Sequence, residues 1–385
     1  MSDFWQETIS SAQQLRRWLH TYPELSWQEQ KTAERIRKHL NELNIEWRPC
    51  AKTGTVAVLN ASASGKSIAL RGDIDALPIH EDTGQSWSSL NAGCMHACGH
   101  DGHTATLTAT ASWLKEHETD LSGPVTLIFQ PAEEGGHGAK HMIEEGALEG
   151  VDEIYGWHNW PAISFGKILC PDGLVMCGNG TFEIVVKGKG GHASQPEQCA
   201  DPVLAASAIT VGLQQIVARR IAPQDFVVVS VTSIEAQSGL TIIPERASMS
   251  GSIRVPNSEL KERVAQLIAE VSSNIAQAYG VEAEVTFTSR YDPTINHPSA
   301  AQNFRRVWQQ LWGEHSLADD ARQPVMASED FSYYLQHIPG AFALIGADDG
   351  PAHQHSCHSP HYDFNDRLIE RVVSAYSRLV GINTP

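Results

Sequence analysis

The stretch CMHACGHDGH, residues 94–103, sets two cysteines and three histidines within ten positions. Cys98 and His100 are separated by one residue, a spacing that turns both side chains to the same side of an extended segment. Two such residues do not close a metal shell, so partners must come from elsewhere. The sequence offers them at the ends of apolar runs. IALRGDID ends on Asp73 and Asp75, VTLIFQPAEE on Glu133 and Glu134, and EIYGWHN reaches His158. FALIGA precedes HQHSCHSPHYDFND, which carries His353, His355, His358 and His361. Taken singly, the acid pairs read as solvated turns and His158, beside Trp157 and Trp160, as a packed core histidine. Their recurrence after one apolar run after another is what points to a site.

His, Cys and Glu suit zinc and similar divalent ions. Ligands scattered from Cys98 to His358 cannot fold a local knuckle, so an open site on a large scaffold is expected. The adjacent Glu133 and Glu134 allow a division of labour, in which one binds metal and the other takes a proton from water. Zinc lowers the pKa of its water to about 7, so a nearby carboxylate can finish the deprotonation. With two ions, the Cys98 thiolate is suited to bridge them.

The elements that must position these residues are legible in outline. Amphipathic helices are expected over 4–20 and from an N-cap at Ser26 to Leu43. Apolar strands follow at 55–61, 67–75, 124–134, 153–160 and 340–347, with helices near 103–116, 137–146, 299–312, 328–337 and 366–380. Such alternation predicts an α/β fold with a mostly parallel sheet covered by helices on both faces. Ligand sites in such sheets lie beyond the carboxyl ends of the strands, where the acids and histidines fall. Between 179 and 290 the order becomes βαββαβ, a ferredoxin-like pattern. The chain therefore reads as a discontinuous metal-binding domain, 1–178 with 291–385, interrupted by a lid or dimerisation domain at 179–290.

With 385 residues, two domains are the natural expectation. The formal net charge of −17, without a basic block, argues against nucleic acid or an anionic membrane as partner. The N-terminal segment begins acidic and has helical periodicity, unlike a signal peptide. Seven cysteines without pairing rhythm suit free thiols in a reducing cytoplasm.

In order along the chain stand GDIDALPI, MHACGHDGH, LIFQPAEEGGHGAKHMIEEGAL, GWHNWP, GKGGHASQP, SEDFSYYL and HSPHYDFND. Together they resemble the metal-dependent amidohydrolase branch of the aminoacylase and carboxypeptidase family. That branch includes hippurate hydrolases, N-acyl amino acid deacylases and plant auxin-conjugate hydrolases. The resemblance covers nearly the whole chain and implies a hydrolase of the amide bond in N-acyl amino acids. It implies two divalent ions per subunit, zinc first, with manganese, cobalt or nickel as alternatives, and a homodimer or higher homo-oligomer. By motif, Cys98, His100, Glu134, His158 and His358 resemble the metal ligands. Glu133 resembles the general base, and Asp75 the acid supporting the centre. His192 resembles the lid histidine that stabilises the oxyanion, within a chain or across a dimer, and Arg254 the arginine near the substrate carboxylate. His96, His103, His353, His355 and His361 match no ligand role.

Two positions depart from the family pattern. Thr241 stands in LTIIPE where relatives commonly carry Asn, and Cys357 precedes His358 where many have Leu. Other readings compete with the amidohydrolase. A metallo-carboxypeptidase or dipeptidase would act on short peptides, and a non-catalytic module would use metal only structurally. A nucleophilic Cys98 activated by His100 is disfavoured, because residues two apart hardly meet in the geometry required.

Overall fold

Every residue of the run VTLIFQ is buried, the mark of a strand covered on both faces. In the computed structural model, which describes residues 3–385, this is the fourth strand of a seven-stranded sheet. The chain forms two compact units. One comprises the chain up to Val175 with Thr294–Gln323 and Asp330–Pro385; the other comprises Met176–Pro293 with Pro324–Glu329.

The sheet of the first unit contains β1 (Glu46–Cys50), β2 (Gly54–Leu59), β3 (Ile68–Asp73), β4 (Val125–Gln130), β5 (Glu153–Ser164), β6 (Ile168–Leu169) and β15 (Gly340–Asp348). Their order is β1-β2-β4-β3-β5-β15-β6. The central four, β4-β3-β5-β15, are parallel, and the edges are antiparallel. The expected parallel sheet is therefore its centre, and the short β1 and β6 close the edges. Around it lie α1 (Asp3–Thr21), α2 (Gln30–Glu42), α3 (His100–Glu116), α4 (Gly138–Glu144), α7 (Pro298–Trp312), α8 (Ser332–Leu335) and α9 (Arg367–Leu379). One apolar core joins α1, α3, α7 and α9 to the strands through Trp5, Leu107, Phe304 and Tyr376. The helix predicted from Ser26 begins only at Gln30, and the Ser26 hydroxyl instead donates to Asp75 Oδ2 at 2.7 Å.

β3 and β5 pair only from Ile68/Glu153 to Leu70/Tyr155. Beyond that β3 continues with β4 to Asp73, and β5 continues with β15 to Ser164. The sheet thus splits at its carboxyl end, where the chain order reverses direction across it, and that crevice is where such folds bind ligands. Side chains replace the missing ladder. The Tyr376 hydroxyl lies 3.0 Å from the Arg71 carbonyl and 3.3 Å from that of Tyr155.

The last turn of α1 is fixed to the start of α3 by buried charges. His20 Nδ1 lies 2.8 Å from Asp101 Oδ2 and its Nε2 3.3 Å from Glu81 Oε1. Burial lowers the His20 pKa, but the hydrogen bonds and charges of Asp101 and Glu81 outweigh it and raise the value to about 9. A raised histidine pKa stabilises the fold fully below its unfolded value near 6.5, and that stability is lost as pH rises through about 9. Urea unfolding at constant metal saturation is therefore expected to show parent stability falling between pH 6.5 and 9 by on the order of 3 kcal/mol from this group. His20→Gln removes that decline, and superimposable profiles for the two proteins would refute the assignment.

The second unit is built from β8 (Gly178–Lys187), α5 (Pro202–Gln215), β10 (Val228–Glu235), β12 (Arg246–Val255), α6 (Ser258–Ala278) and β13 (Glu282–Ser289). The antiparallel order β10-β12-β8-β13 is that of a ferredoxin-like sheet. Its inner residues alternate along β8 and β12 and pack on α5 and α6 through Phe182, Ile209, Met249 and Leu267. Asp201 caps α5 and Asn257 caps α6. A ribbon of β9 (Gly191–His192) and β11 (Ile242–Ile243) completes it, and β7 (Gly173–Met176) pairs separately with β14 (Thr294–Asn296). One segment corrects the expected division: Pro324–Glu329 packs with this unit. The cause is one backbone bond and one side-chain bond: Cys177 N donates to Val325 O at 3.0 Å, and the Met326 carbonyl accepts from Arg254 Nε, also at 3.0 Å.

Candidate metal centre

Gly99 lets Cys98 and His100 face the crevice. It has φ of +94°, and a Cβ there would lie 2.2 Å from Asn159 Oδ1. Only glycine tolerates both demands. The chain therefore turns sharply after Cys98, and α3 starts at His100, three residues before the expected 103. His158 arrives from β5, Glu133 and Glu134 from the loop after β4, and His358 from the loop after β15. His358 has a left-handed φ of +68°.

These side chains converge. The ligand atoms of Cys98, His100 and His158 lie within 4.8 Å of one another, as do those of Cys98, Glu134 and His358, and of His100, Glu133 and Glu134. Individual separations are 3.3 Å for Cys98 Sγ to His158 Nε2, 3.4 Å for His358 Nε2 to Glu134 Oε1, and 3.9 Å for His100 Nε2 to Glu134 Oε1. Ligands on a tetrahedral ion with bonds of about 2.0–2.3 Å stand roughly 3.3–3.8 Å apart, so the spacing fits. His100 Nε2 and Glu134 Oε1 are also buried without a hydrogen-bond partner. Such orphans are costly unless something else binds them.

The ring tautomers are set from behind. His100 Nδ1 lies 2.9 Å from the Asp75 carbonyl and 3.3 Å from its Oδ1, and His158 Nδ1 lies 2.6 Å from the Asn159 carbonyl. Both bonds require Nδ1–H and leave Nε2 as a lone-pair donor toward the cluster. Asp75 thus lies behind His100, outside the candidate ligand groups found among the described residues.

Electrostatics agree with a cation site. Burial lowers the His100 pKa, but the charges of Asp73, Asp75 and Glu134 with the Asp75 hydrogen bond raise it to about 10. The His158 imidazole is pushed well below its ordinary value by burial and by the neighbouring His103 and His100. Cys98 is raised by a hydrogen bond with the Cys357 thiol, by burial and by the charge of Glu134. That is the opposite of what a cysteine nucleophile needs, and the imidazole it meets is His158. A bound cation reverses this bias and favours the thiolate.

His103, without a predicted ligand role, spans the split in the sheet. Its Nδ1 is 2.6 Å from Asp73 Oδ1 and its Nε2 2.8 Å from Asn159 Oδ1. Both nitrogens have protein partners, although Asp73, His100 and His103 also bring their ligand atoms within 4.8 Å of one another. His96 is buried, while His353 pairs with Asp349, and the rings of His355 and His361 lie tilted against each other on the surface. Cys357 Sγ lies 4.0 Å from the Cys98 carbonyl and packs against the core. Sequence reasoning missed Ser26, Glu29 and Asn159, which touch the site from behind and lie in no metal-ligand pattern.

His192 and Arg254 belong to the second unit, as does Thr241. His192 is exposed on β9, pairs with Ile242, and accepts at Nδ1 from the Ser194 backbone N–H at 3.1 Å. Ala193 N donates to the Thr241 carbonyl at 2.9 Å, so His192 and Thr241 share one ribbon. Arg254 Nε and Nη1 donate to the Met326 and Ile253 carbonyls at 3.0 and 2.9 Å.

Residues 69–381 match the family described as peptidase family M20/M25/M40. The chain belongs to this M20 family. It is 40% identical over 356 residues to N-acetyl-L-cysteine deacetylase of Bacillus subtilis strain 168, covering 92% of this chain and 84% of that protein. Hippurate hydrolase of Campylobacter jejuni is 37% identical over 370 residues, covering 95% of each. A crystal structure from Bacillus subtilis described as a dinuclear metal-binding peptidase of the M20 family superposes with a TM-score of 0.83. It shares 34% identity and covers 97% of this chain and 98% of that one. The protein is accordingly an amidohydrolase of the M20 family.

Proposed function

We propose that this M20 enzyme hydrolyses N-acyl amino acids, with Glu133 as general base and Cys98, His100, Glu134, His158 and His358 as ligands. His100 Nε2 and Glu134 Oε1, buried without a hydrogen bond within a thiol, imidazole and carboxylate cluster, carry this reading. Two divalent cations, zinc first and manganese, cobalt or nickel as alternatives, supply Lewis acidity toward the acyl carbonyl and lower the pKa of water. Cys98, which falls in both the His100–His158 group and the Glu134–His358 group, would be the ligand common to the two ions. Asp75 holds His100 in the binding tautomer. Glu133, in the same cluster as Glu134, takes the proton from the attacking water and returns it to the leaving amine. Asp330 N donates to Glu133 Oε1 at 3.4 Å and helps fix that carboxylate.

His192 donates to the oxyanion, and the N–H groups of Arg254 not spent on carbonyls meet the substrate carboxylate. The second unit also offers an oligomer contact. Leu204 and Val211 of α5 and Val228 and Ile234 of the edge strand β10 are exposed. An unpaired edge with apolar side chains suits pairing with a second copy. All seven cysteines are free, in keeping with a reducing cytoplasm, and no helix among the described residues is long and apolar enough to cross a membrane.

The test is a hydrolysis panel of N-acetyl-L-cysteine, other N-acetyl amino acids, hippurate, indole-acyl conjugates and dipeptides, before and after chelation. Turnover of N-acyl amino acids that chelation abolishes and zinc or manganese restores is the expected result. Hydrolysis confined to dipeptides, or activity untouched by chelation, would overturn the proposal.

A further inference from the structure

Glu29 is a fully buried acid with no part in the ligand cluster, yet it touches the loop that carries the base. Its Oε1 accepts from Ala132 N at 3.0 Å and from Trp27 N at 2.9 Å, and its Oε2 accepts from the Thr53 hydroxyl at 2.6 Å. Ala132 and Trp27 both hold left-handed backbone, with φ of +52° and +65°. Neither is glycine, so each needs a local interaction to stay there. Asp75 continues the pattern one residue on. Its Oδ1 accepts from Glu133 N at 3.1 Å and its Oδ2 from Glu134 N at 3.0 Å. Three successive N–H groups, 132 to 134, thus end on two buried carboxylates.

We propose that Glu29 is a positioning residue for the hydrolysis, holding Ala132 in its left-handed turn so that the Glu133 carboxylate is presented to the cluster it shares with His100 and Glu134. This rests on the reading of Glu133 as base. If Ala132 relaxes to ordinary φ, the peptide before Glu133 rotates and carries the base out of line. Misplacement by about 1 Å costs on the order of 10²-fold in rate. The Glu133 N–H lies on the rotating peptide and leaves Asp75 Oδ1, whereas the Glu134 N–H lies on the next peptide and keeps Asp75 Oδ2, so Glu134 is less affected. The signature is loss of turnover with metal and substrate binding kept. Burial pushes the Glu29 carboxyl up to about 7, with the Thr53 hydrogen bond pulling against it. A dry position would favour an apolar side chain unless the acceptor were needed.

Three variants separate positioning from charge or packing. Glu29→Gln keeps an oxygen for both N–H groups, and the Thr53 hydroxyl can reverse to accept from the new amide. Glu29→Asp keeps the charge but withdraws the acceptor by one methylene. Glu29→Met fills the space and accepts poorly. With N-acetyl-L-cysteine or hippurate, whichever the parent turns over faster, kcat per metal-loaded subunit is expected within about fivefold of the parent for Gln. It falls about 10²-fold for Asp and Met, with KM within about threefold and metal content unchanged. If Glu29→Met does not fold, the Gln and Asp pair decides. Asp equal to or better than Gln, or parent-like kcat in Met, overturns the proposal. Glu133→Gln measured alongside keeps the two ideas apart. If it is inactive while the Glu29 variants behave as the parent, only the positioning role fails; if it is fully active, the base assignment has failed first.

Discussion

Replacing Glu133 by Gln lowers kcat by about 10²–10⁴-fold while the metal ions stay bound, the range expected when a general base is removed. The amide keeps the size and shape of the side chain, so the surrounding core is undisturbed. Asp330 N can still donate to Gln at that position. Asp330 itself is held by Arg71 Nη2 at 3.1 Å, Gln130 Nε2 at 2.8 Å and Ala139 N at 2.9 Å, so its N–H does not shift. What disappears is the ability to accept a proton from water. KM changes little, because the interaction lost belongs to the transition state. Steady-state kinetics on an N-acyl amino acid, with metal content measured on the same sample, provides the check. A variant that turns over within tenfold of the parent would remove Glu133 from the role of base.

His192→Ala is expected to lower kcat by about 10²–10³-fold, the usual consequence of deleting one oxyanion donor. The reason lies in its tautomer. The Ser194 backbone N–H can only donate, so Nδ1 accepts and the neutral ring carries its proton on Nε2. Exposed on a two-stranded ribbon, that N–H is available to an oxygen that gains charge during reaction. The substitution removes no core contact, so folding and metal content remain those of the parent. Mixing His192→Ala with Glu133→Gln, after subunit exchange has been demonstrated by mass, reveals which subunit supplies the histidine. Partial recovery of activity means donation across a dimer, whereas its absence means donation within one chain. Parent-like kcat in His192→Ala alone would remove this residue from the mechanism.

The strands and the acids behind them were legible because burial on both faces writes itself as an apolar run, and the chain then ends each run in polar residues. FALIGA and VTLIFQ could hardly be anything else. Within the second unit, alternation along β8 and β12 marks one buried face as plainly. The site's supporting layer was hidden for a different reason. Ser26 carries a helix-cap signature, yet its hydroxyl takes a tertiary acceptor, Asp75, and α2 starts later. Glu29 lies in a polar stretch, LSWQEQ, where nothing local distinguishes a buried acid from a solvated one. The splitting of β3 from β5 likewise has no sequence mark, since register depends on partners distant in the chain. His103 sits in the motif but spends both nitrogens on Asp73 and Asn159, a distinction that residue type alone cannot make. Pro324–Glu329 joins the second unit through its own backbone carbonyls, which accept from Cys177 N and Arg254 Nε and leave no mark in the segment's residue types.

The central claim is that Glu134 binds metal and its neighbour Glu133 does not, with Cys98 shared between two ions. The metal-to-protein ratio tests it directly, measured by elemental mass spectrometry after identical zinc loading and dialysis of the parent, Glu133→Gln, Glu134→Gln and Cys98→Ala. The account predicts two ions per subunit in the parent and in Glu133→Gln, and fewer in Glu134→Gln and Cys98→Ala. An undiminished ratio in Cys98→Ala, or metal lost from Glu133→Gln and kept by Glu134→Gln, would contradict it.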